Sequence, residues 1–170
     1  MTLARADSPA VPAFPGGEWT FNAAAGYVAA YGEDEADIGA VEIGANYFVA
    51  DNFSLGAEVA GYGVSQPGDD AYAVGLSGVL RHHLFAWERT TLFLDASFGP
   101  VYASDHVPAG GTSFNFISRL GAGLTYEVDA SVHLMGGVRW WHLSNARIEG
   151  DDRNPTINGV EFYLGLMWSR

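Results

Sequence analysis

Cysteine is absent from these 170 residues, which removes a disulfide frame, a thiolate nucleophile and a cysteine-ligated metal from consideration. Basic residues are scarce. Eight Lys and Arg stand against 20 Asp and Glu, a formal charge of −12, and nucleic acid is a poor partner for so little basic surface. No stretch of about 18 to 20 uncharged apolar residues occurs, so a membrane-spanning helix is excluded, whereas a membrane-spanning sheet is not. The Leu/Glu/Lys bias of helical proteins is missing too. In its place stand 22 glycines, abundant alanine, 5 Trp, 8 Tyr and 10 Phe, a mix that favours many short extended segments.

The length fits one domain able to close one barrel. Residues 1–17 read as a leader. It is either the stub of a truncated signal peptide, with Ala4-Arg5-Ala6 as a small-x-small cleavage site, or a flexible segment. Residues 18–170 read as a single β-barrel domain.

Period two dominates the rest of the chain. From Trp19 onward, Phe21, Ala23, Ala25, Tyr27, Ala29 and Tyr31 share one face and Thr20, Asn22, Ala24 and Gly26 the other. Seven further segments alternate in the same way, at about 38–49, 53–65, 71–84, 91–103, 114–127, 131–143 and 159–168. One face of each is apolar, and the other carries small residues and charge.

Alternation alone fits both a soluble lipocalin-like barrel and a membrane barrel. The apolar faces carry aromatics toward their ends, including Trp19, Tyr47, Tyr72, Tyr102, Tyr126, Trp140 and Trp168, as interfacial girdles do. The opposite faces carry Glu42, Glu58, Asp95 and Glu127 against Arg81, Arg119 and Arg139, charges that would pair inside a narrow lumen. Short turns at 50–52, 85–90 and 128–130 alternate with longer polar connections near 32–37, 66–70, 104–113 and 145–158. The chain is therefore expected to be all-β, an eight-stranded antiparallel transmembrane β-barrel of the outer-membrane type with both termini in the periplasm. The acidic clusters Glu33, Asp34, Glu35, Asp37, then Asp69, Asp70, then Asp151, Asp152 read as solvated loop surface rather than a cation site. His82, His83, His106 and His133 read as structural.

One polar group breaks the pattern. In the seventh segment Val132, Leu134, Val138, Trp140, His142 and Ser144 share the apolar face, so a histidine and a serine continue a greasy stripe at its outer end. At i and i+2 on one strand face, an imidazole and a hydroxyl come within hydrogen-bonding reach, the first requirement of an activated serine. Asn145, Asn154 and Asn158 are candidate donors to an oxyanion or supports for it, and Glu161 begins the antiparallel strand that returns to the same rim. Taken alone, such a pair is the ordinary pattern of a rim histidine bonded at the headgroup level.

"HLSNA" at 142–146, followed by a polar loop, Asn-Pro and Asn-Gly pairs and Glu161, resembles the signature of the PagL-type lipid A 3-O-deacylases. The resemblance implies an outer-membrane barrel that removes the ester-linked 3-hydroxyacyl chain at position 3 of lipid A. It carries over His142 as general base, Ser144 as nucleophile and Glu161 as orienting acid, on the lipid-facing wall near the outer rim. Trp140, Arg147 and Arg153 become candidate contacts to the substrate, lipid A of lipopolysaccharide in the outer leaflet. Neither a metal nor an organic cofactor is needed, and a homodimer is left open. Strict alternation in the last segment, however, turns Glu161 inward; an irregular strand start near Asn158-Gly159 is required to bring it out. The rival expectation is a non-enzymatic small barrel of the OmpA or OmpX kind, structural or adhesive.

Overall fold

Each alternating segment forms one strand of a closed sheet in the computed structural model, which describes residues 13–32, 36–150 and 153–170. The strands are β1 (Trp19–Tyr31), β2 (Asp37–Ala50), β3 (Phe53–Ser65), β4 (Ala71–Trp87), β5 (Thr90–Val107), β6 (Thr112–Asp129), β7 (Val132–Ser144) and β8 (Ile157–Ser169). Every neighbour pair is antiparallel, and β1 closes the barrel by pairing with both β2 and β8. No sheet edge is left open, which is the condition for strands to cross a bilayer. The strands β4, β5 and β6 run to 17, 18 and 18 residues, longer than the alternation predicts, because pairing continues through most of the 85–90 hairpin and resumes at Val107 and Thr112 within the 104–113 connection.

Which face looks outward decides between the two kinds of barrel. Val41, Ile43, Leu76, Leu120, Phe162 and Leu164 stand exposed on the outer wall, with Leu164 at 67%. A soluble monomer does not present a continuous apolar wall of this kind, so the lipocalin-like arrangement, with greasy faces inward, is ruled out. Exposed aromatics ring both ends. Tyr27, Tyr31, Tyr72, Tyr102 and Trp140 lie toward the long loops, and Trp19, Tyr47, Trp87, Tyr126 and Trp168 toward the short turns.

The lumen is filled in three layers. A middle belt contains Glu42, Glu58, Asp95 and Glu161 with Arg81, Arg119 and Arg139, all buried. Arg119 bonds Glu42 and reaches Glu58 at 2.5 Å, Arg139 reaches Glu42 and Asp95 at 3.1 Å each, and Arg81 reaches Asp95 at 3.3 Å. The ion pairs of this belt do not include Glu127, which the alternation had grouped with them. An apolar layer of Val28, Ile38, Tyr62, Trp141, Leu143 and Ile157 caps the belt toward the long loops. A second, of Phe48, Phe93, Met135, Tyr163 and Met167 with Phe14, caps it toward the short turns.

Phe14, within the segment 1–17 expected as a leader, packs into the short-turn end of the barrel. It is 1% exposed, stacks on Phe48 at 5.1 Å, and lies 4.3 Å and 5.2 Å from the rings of His83 and His133. Asn52 ties it down on both sides, its side chain accepting from the Phe14 N–H at 3.1 Å and its own N–H donating to the Phe14 carbonyl at 2.7 Å. An apolar ring in an open barrel end removes its own surface and the lumen's from water together. Of the acidic clusters, Glu33, Asp34, Glu35, Asp151 and Asp152 lie outside the described residues.

Candidate active site

The register of β7 and β8 builds the polar group at the rim. Cross-strand partners run Arg139 to Glu161, Trp140 to Val160, Trp141 to Gly159 and His142 to Asn158 without interruption. Because side chains alternate, His142, Ser144, Asn158 and Val160 share the outer wall, while Arg139, Trp141, Gly159 and Glu161 share the lumen. The bonds follow this division. His142 Nε2 lies 3.2 Å from Ser144 Oγ, and His142 Nδ1 lies 2.9 Å from Asn158 Oδ1. The imidazole also stacks on Trp140, with ring centroids 5.4 Å apart and planes 16° from parallel. Both His142 and Ser144 are half-buried at the long-loop end of an apolar wall.

Glu161 is not part of this group, contrary to the placement the resemblance implied. The irregular strand start that would have turned it outward does not occur, since β8 keeps register against both β7 and β1 from Asn158 onward. Its carboxylate is fully buried in the luminal belt, 3.4 Å from Arg139. Simple period two therefore decides its side of the wall, and the amide of Asn158 takes the position beside the imidazole.

Asn145 is turned into the loop, away from the His142–Ser144 pair. Only 1% exposed, it donates through Nδ2 to the Arg153 carbonyl at 2.6 Å and to Thr112 Oγ1 at 3.2 Å, and accepts through Oδ1 from the Arg147 N–H at 2.9 Å. Its backbone N–H is held by Asn154 Oδ1 at 3.0 Å. These bonds clasp a strained turn directly after the serine, for Ala146 and Arg147 sit at φ of 54° and 63°, a left-handed conformation unfavourable for side-chain-bearing residues. Among the three asparagines, Asn145 and Asn154 thus shape the loop and Asn158 meets the histidine. The sequence reading did not single out Thr112, although it anchors this loop to the β5–β6 hairpin; its contact is long-range and leaves no local pattern.

The cationic candidates lie above the rim. Arg153 bonds Glu149 at 2.9 Å, with both side chains about half exposed, and reaches the Gly111 carbonyl at 3.5 Å. Arg147 is exposed beside it on the same loop. Elsewhere, His83 is buried against Thr91 at 2.7 Å and His82 packs edge-on against Phe53 on the outside, so the two adjacent histidines serve opposite faces.

The histidine and serine joined on the outer rim of this eight-stranded barrel fall within a stretch of the chain that matches one family model. The model of the lipid A 3-O-deacylase (PagL) family aligns with residues 58–167, well over half the chain and including the whole rim group. The chain belongs to the PagL family. Solved structures agree on the fold of this PagL-family barrel. The crystal structure of the outer membrane enzyme PagL is similar at a TM-score of 0.65 and 20% identity, covering 85% of this chain and 97% of that one. Neisserial surface protein A, NspA, gives 0.70 and 17%, covering 88% and 96%. The outer membrane protein OprG from Pseudomonas aeruginosa gives 0.62 and 11%, covering 92% and 97%. No curated protein matches the chain. The barrel is thus of the integral outer-membrane type, and at these identities the likeness speaks for fold alone.

Proposed function

We propose that this PagL-family barrel is a lipid A 3-O-deacylase that hydrolyses the ester-linked 3-hydroxyacyl chain at position 3 of lipid A. The observation that carries the reading is the 3.2 Å contact between His142 Nε2 and Ser144 Oγ on the outer wall. A serine and histidine hidden in the lumen could not meet a lipid ester; on the rim they lie in the layer where acyl esters of an outer-leaflet lipid sit. The substrate arrives by lateral diffusion, with the long-loop end outside and both termini in the periplasm.

Ser144 Oγ attacks the ester carbonyl while His142 Nε2 takes its proton. The tetrahedral intermediate collapses, the bond to the sugar oxygen breaks, and the proton held by His142 passes to that oxygen as it leaves. Water then attacks the acyl-serine, giving its proton to His142, which returns it to Ser144 as the 3-hydroxy fatty acid departs. Trp140 stacks against the base and sets the depth at which the acyl chain docks. Arg147 and Arg153 meet the phosphates of lipid A. The Arg153–Glu149 pair is solvent-exposed, so exchanging its carboxylate for a phosphate costs only about 0–1 kcal/mol. No metal or cofactor enters these steps.

The test is release of free 3-hydroxy fatty acid from lipopolysaccharide in mixed micelles, read by mass spectrometry, for the wild type, Ser144→Ala and His142→Asn. Loss of about 10³-fold or more is expected in each variant. A wild type that releases no acid, or variants that act like it, would leave the chain a non-enzymatic barrel.

A further inference from the structure

We infer that Asn158, not Glu161, is the positioning residue of the catalytic pair, so that this barrel works with a Ser-His-Asn arrangement. The inference rests on the esterase reading above and deepens it.

The argument begins with what the ring needs. To accept the serine proton at Nε2, a neutral imidazole must carry its own proton on Nδ1, so the group facing Nδ1 has to be an acceptor. Asn158 Oδ1 stands 2.9 Å from that atom, from the cross-strand position directly opposite His142. An amide carbonyl selects this tautomer as a carboxylate would, and an asparagine serves as the third member of such constellations in Cys-His-Asn sites.

Steric fit then excludes the exchange of Asn158 for Glu161. Moving Glu161 to the outer wall requires β8 to shift by one residue, which turns every following side chain to the other face. Phe162, Leu164 and Leu166 would enter the lumen, and Tyr163 and Met167 would leave it. The inward position now held by Gly159 admits no side chain, since a Cβ there would come within 2.5 Å of Val28 Cγ1 and 3.0 Å of the Ala29 carbonyl oxygen. Neither Asn158 nor Val160 could take it. Arg139 would also lose one of its three carboxylate partners.

Location favours an amide as well. A carboxylate beside the imidazole would sit on an apolar wall, where an uncompensated charge is costly, whereas a neutral amide with its carbonyl bonded is tolerated. The register partners of His142 on this face are Ser118 on β6 and Asn158 on β8, neither of them charged.

The experiment measures kcat, KM and the pH dependence of kcat/KM on lipopolysaccharide for the wild type, Ser144→Ala, Asn158→Ala, Asn158→Asp and Glu161→Gln. Folding of each is checked by the mobility shift between boiled and unboiled samples on a gel. For Asn158→Ala, kcat should fall by about 10²–10⁴-fold with KM changed by less than about threefold. Asn158→Asp should keep substantial activity and move the acidic limb of the profile to higher pH by about one unit, because a carboxylate on Nδ1 stabilises the imidazolium. A residue that only supports the loop would not move that limb. Glu161→Gln should match the wild type in both respects. The inference is overturned if folded Glu161→Gln loses activity, if Asn158→Ala stays within about threefold of wild type, or if the limb is unmoved in Asn158→Asp. Full activity in Ser144→Ala would instead overturn the esterase reading itself.

Discussion

Replacing Arg139 by methionine removes the centre of the luminal belt while keeping much of the side chain's volume. The guanidinium bonds Asp95 through Nε at 3.3 Å and Nη2 at 3.1 Å, Glu42 through Nη1 at 3.1 Å, and Glu161 through Nη1 at 3.4 Å, and it sits 3.9 Å from the centre of the Tyr163 ring. After the change Asp95 keeps Arg81 and Glu42 keeps Arg119. Glu161 is left without the guanidinium it now bonds, and among the described residues its Oε1 already lacks a hydrogen-bond partner. Removing one side of a buried ion pair costs about 3–5 kcal/mol, because the remaining charge stays buried and uncompensated. Arg139→Met should therefore lower stability by that amount. Most of the loss should trace to Glu161, so adding Glu161→Gln in the same chain should restore about 1–3 kcal/mol. Urea unfolding in lipid vesicles, followed by tryptophan fluorescence and by gel mobility of unboiled samples, measures both quantities. Folded Arg139→Met should still deacylate, since Arg139 and His142 lie on opposite sides of the wall. A loss below about 1 kcal/mol, or a Glu161→Gln change that deepens the loss, would show that the belt is hydrated enough to screen its charges, and the reasoning would fail.

Asn145→Ala removes the clasp on the strained turn after Ser144, and misplacing the nucleophile by about 1 Å should cost on the order of 10²-fold in kcat/KM. Trypsin should then cut after Arg147 or Arg153 faster than in wild type, and an unchanged rate of cleavage would count against the clasp. Phe14→Ala should lower stability by roughly 1–3 kcal/mol, less than the ~3–5 of a buried Phe in a strand, because the short N-terminal segment can detach before the wall opens. Vesicle unfolding curves that superimpose on the wild type would show that Phe14 contributes nothing to the closed end.

The architecture was largely legible. The alternation in β2, Val41 and Ile43 against Glu42 and Gly44, states which residues meet lipid and which meet the lumen, and the short and long connections set the antiparallel order. The pairing of Arg81, Arg119 and Arg139 with Glu42, Glu58 and Asp95 also followed, because a narrow lumen gives charges no other company. The same period placed His142 and Ser144 outside together. It placed Glu161 inside, whereas Asn158, one residue before the expected start of the last strand, receives no face and reads only as an oxyanion or support candidate. The family resemblance pointed the other way for Glu161, and the strand irregularity that would have reconciled the two is absent. Asn145 reads as an oxyanion donor or a support because it follows Ser144; a turn with two left-handed residues directs its side chain into the loop.

What the sequence by itself determined is the side of the wall on which each strand residue lies, since the pleat gives every side chain a face from its neighbours alone. What only the tertiary structure decided is which residues meet across strands and loops. The offset between β7 and β8 sets Asn158 rather than Glu161 against His142, and the packing of Gly159 on Val28 holds that offset. The folded loop carries Asn145 to Thr112, and the closing of the barrel end draws Phe14 between His83 and His133. Facing is a local property of extended backbone, whereas register and closure are sums over contacts between distant segments that no single stretch of sequence records.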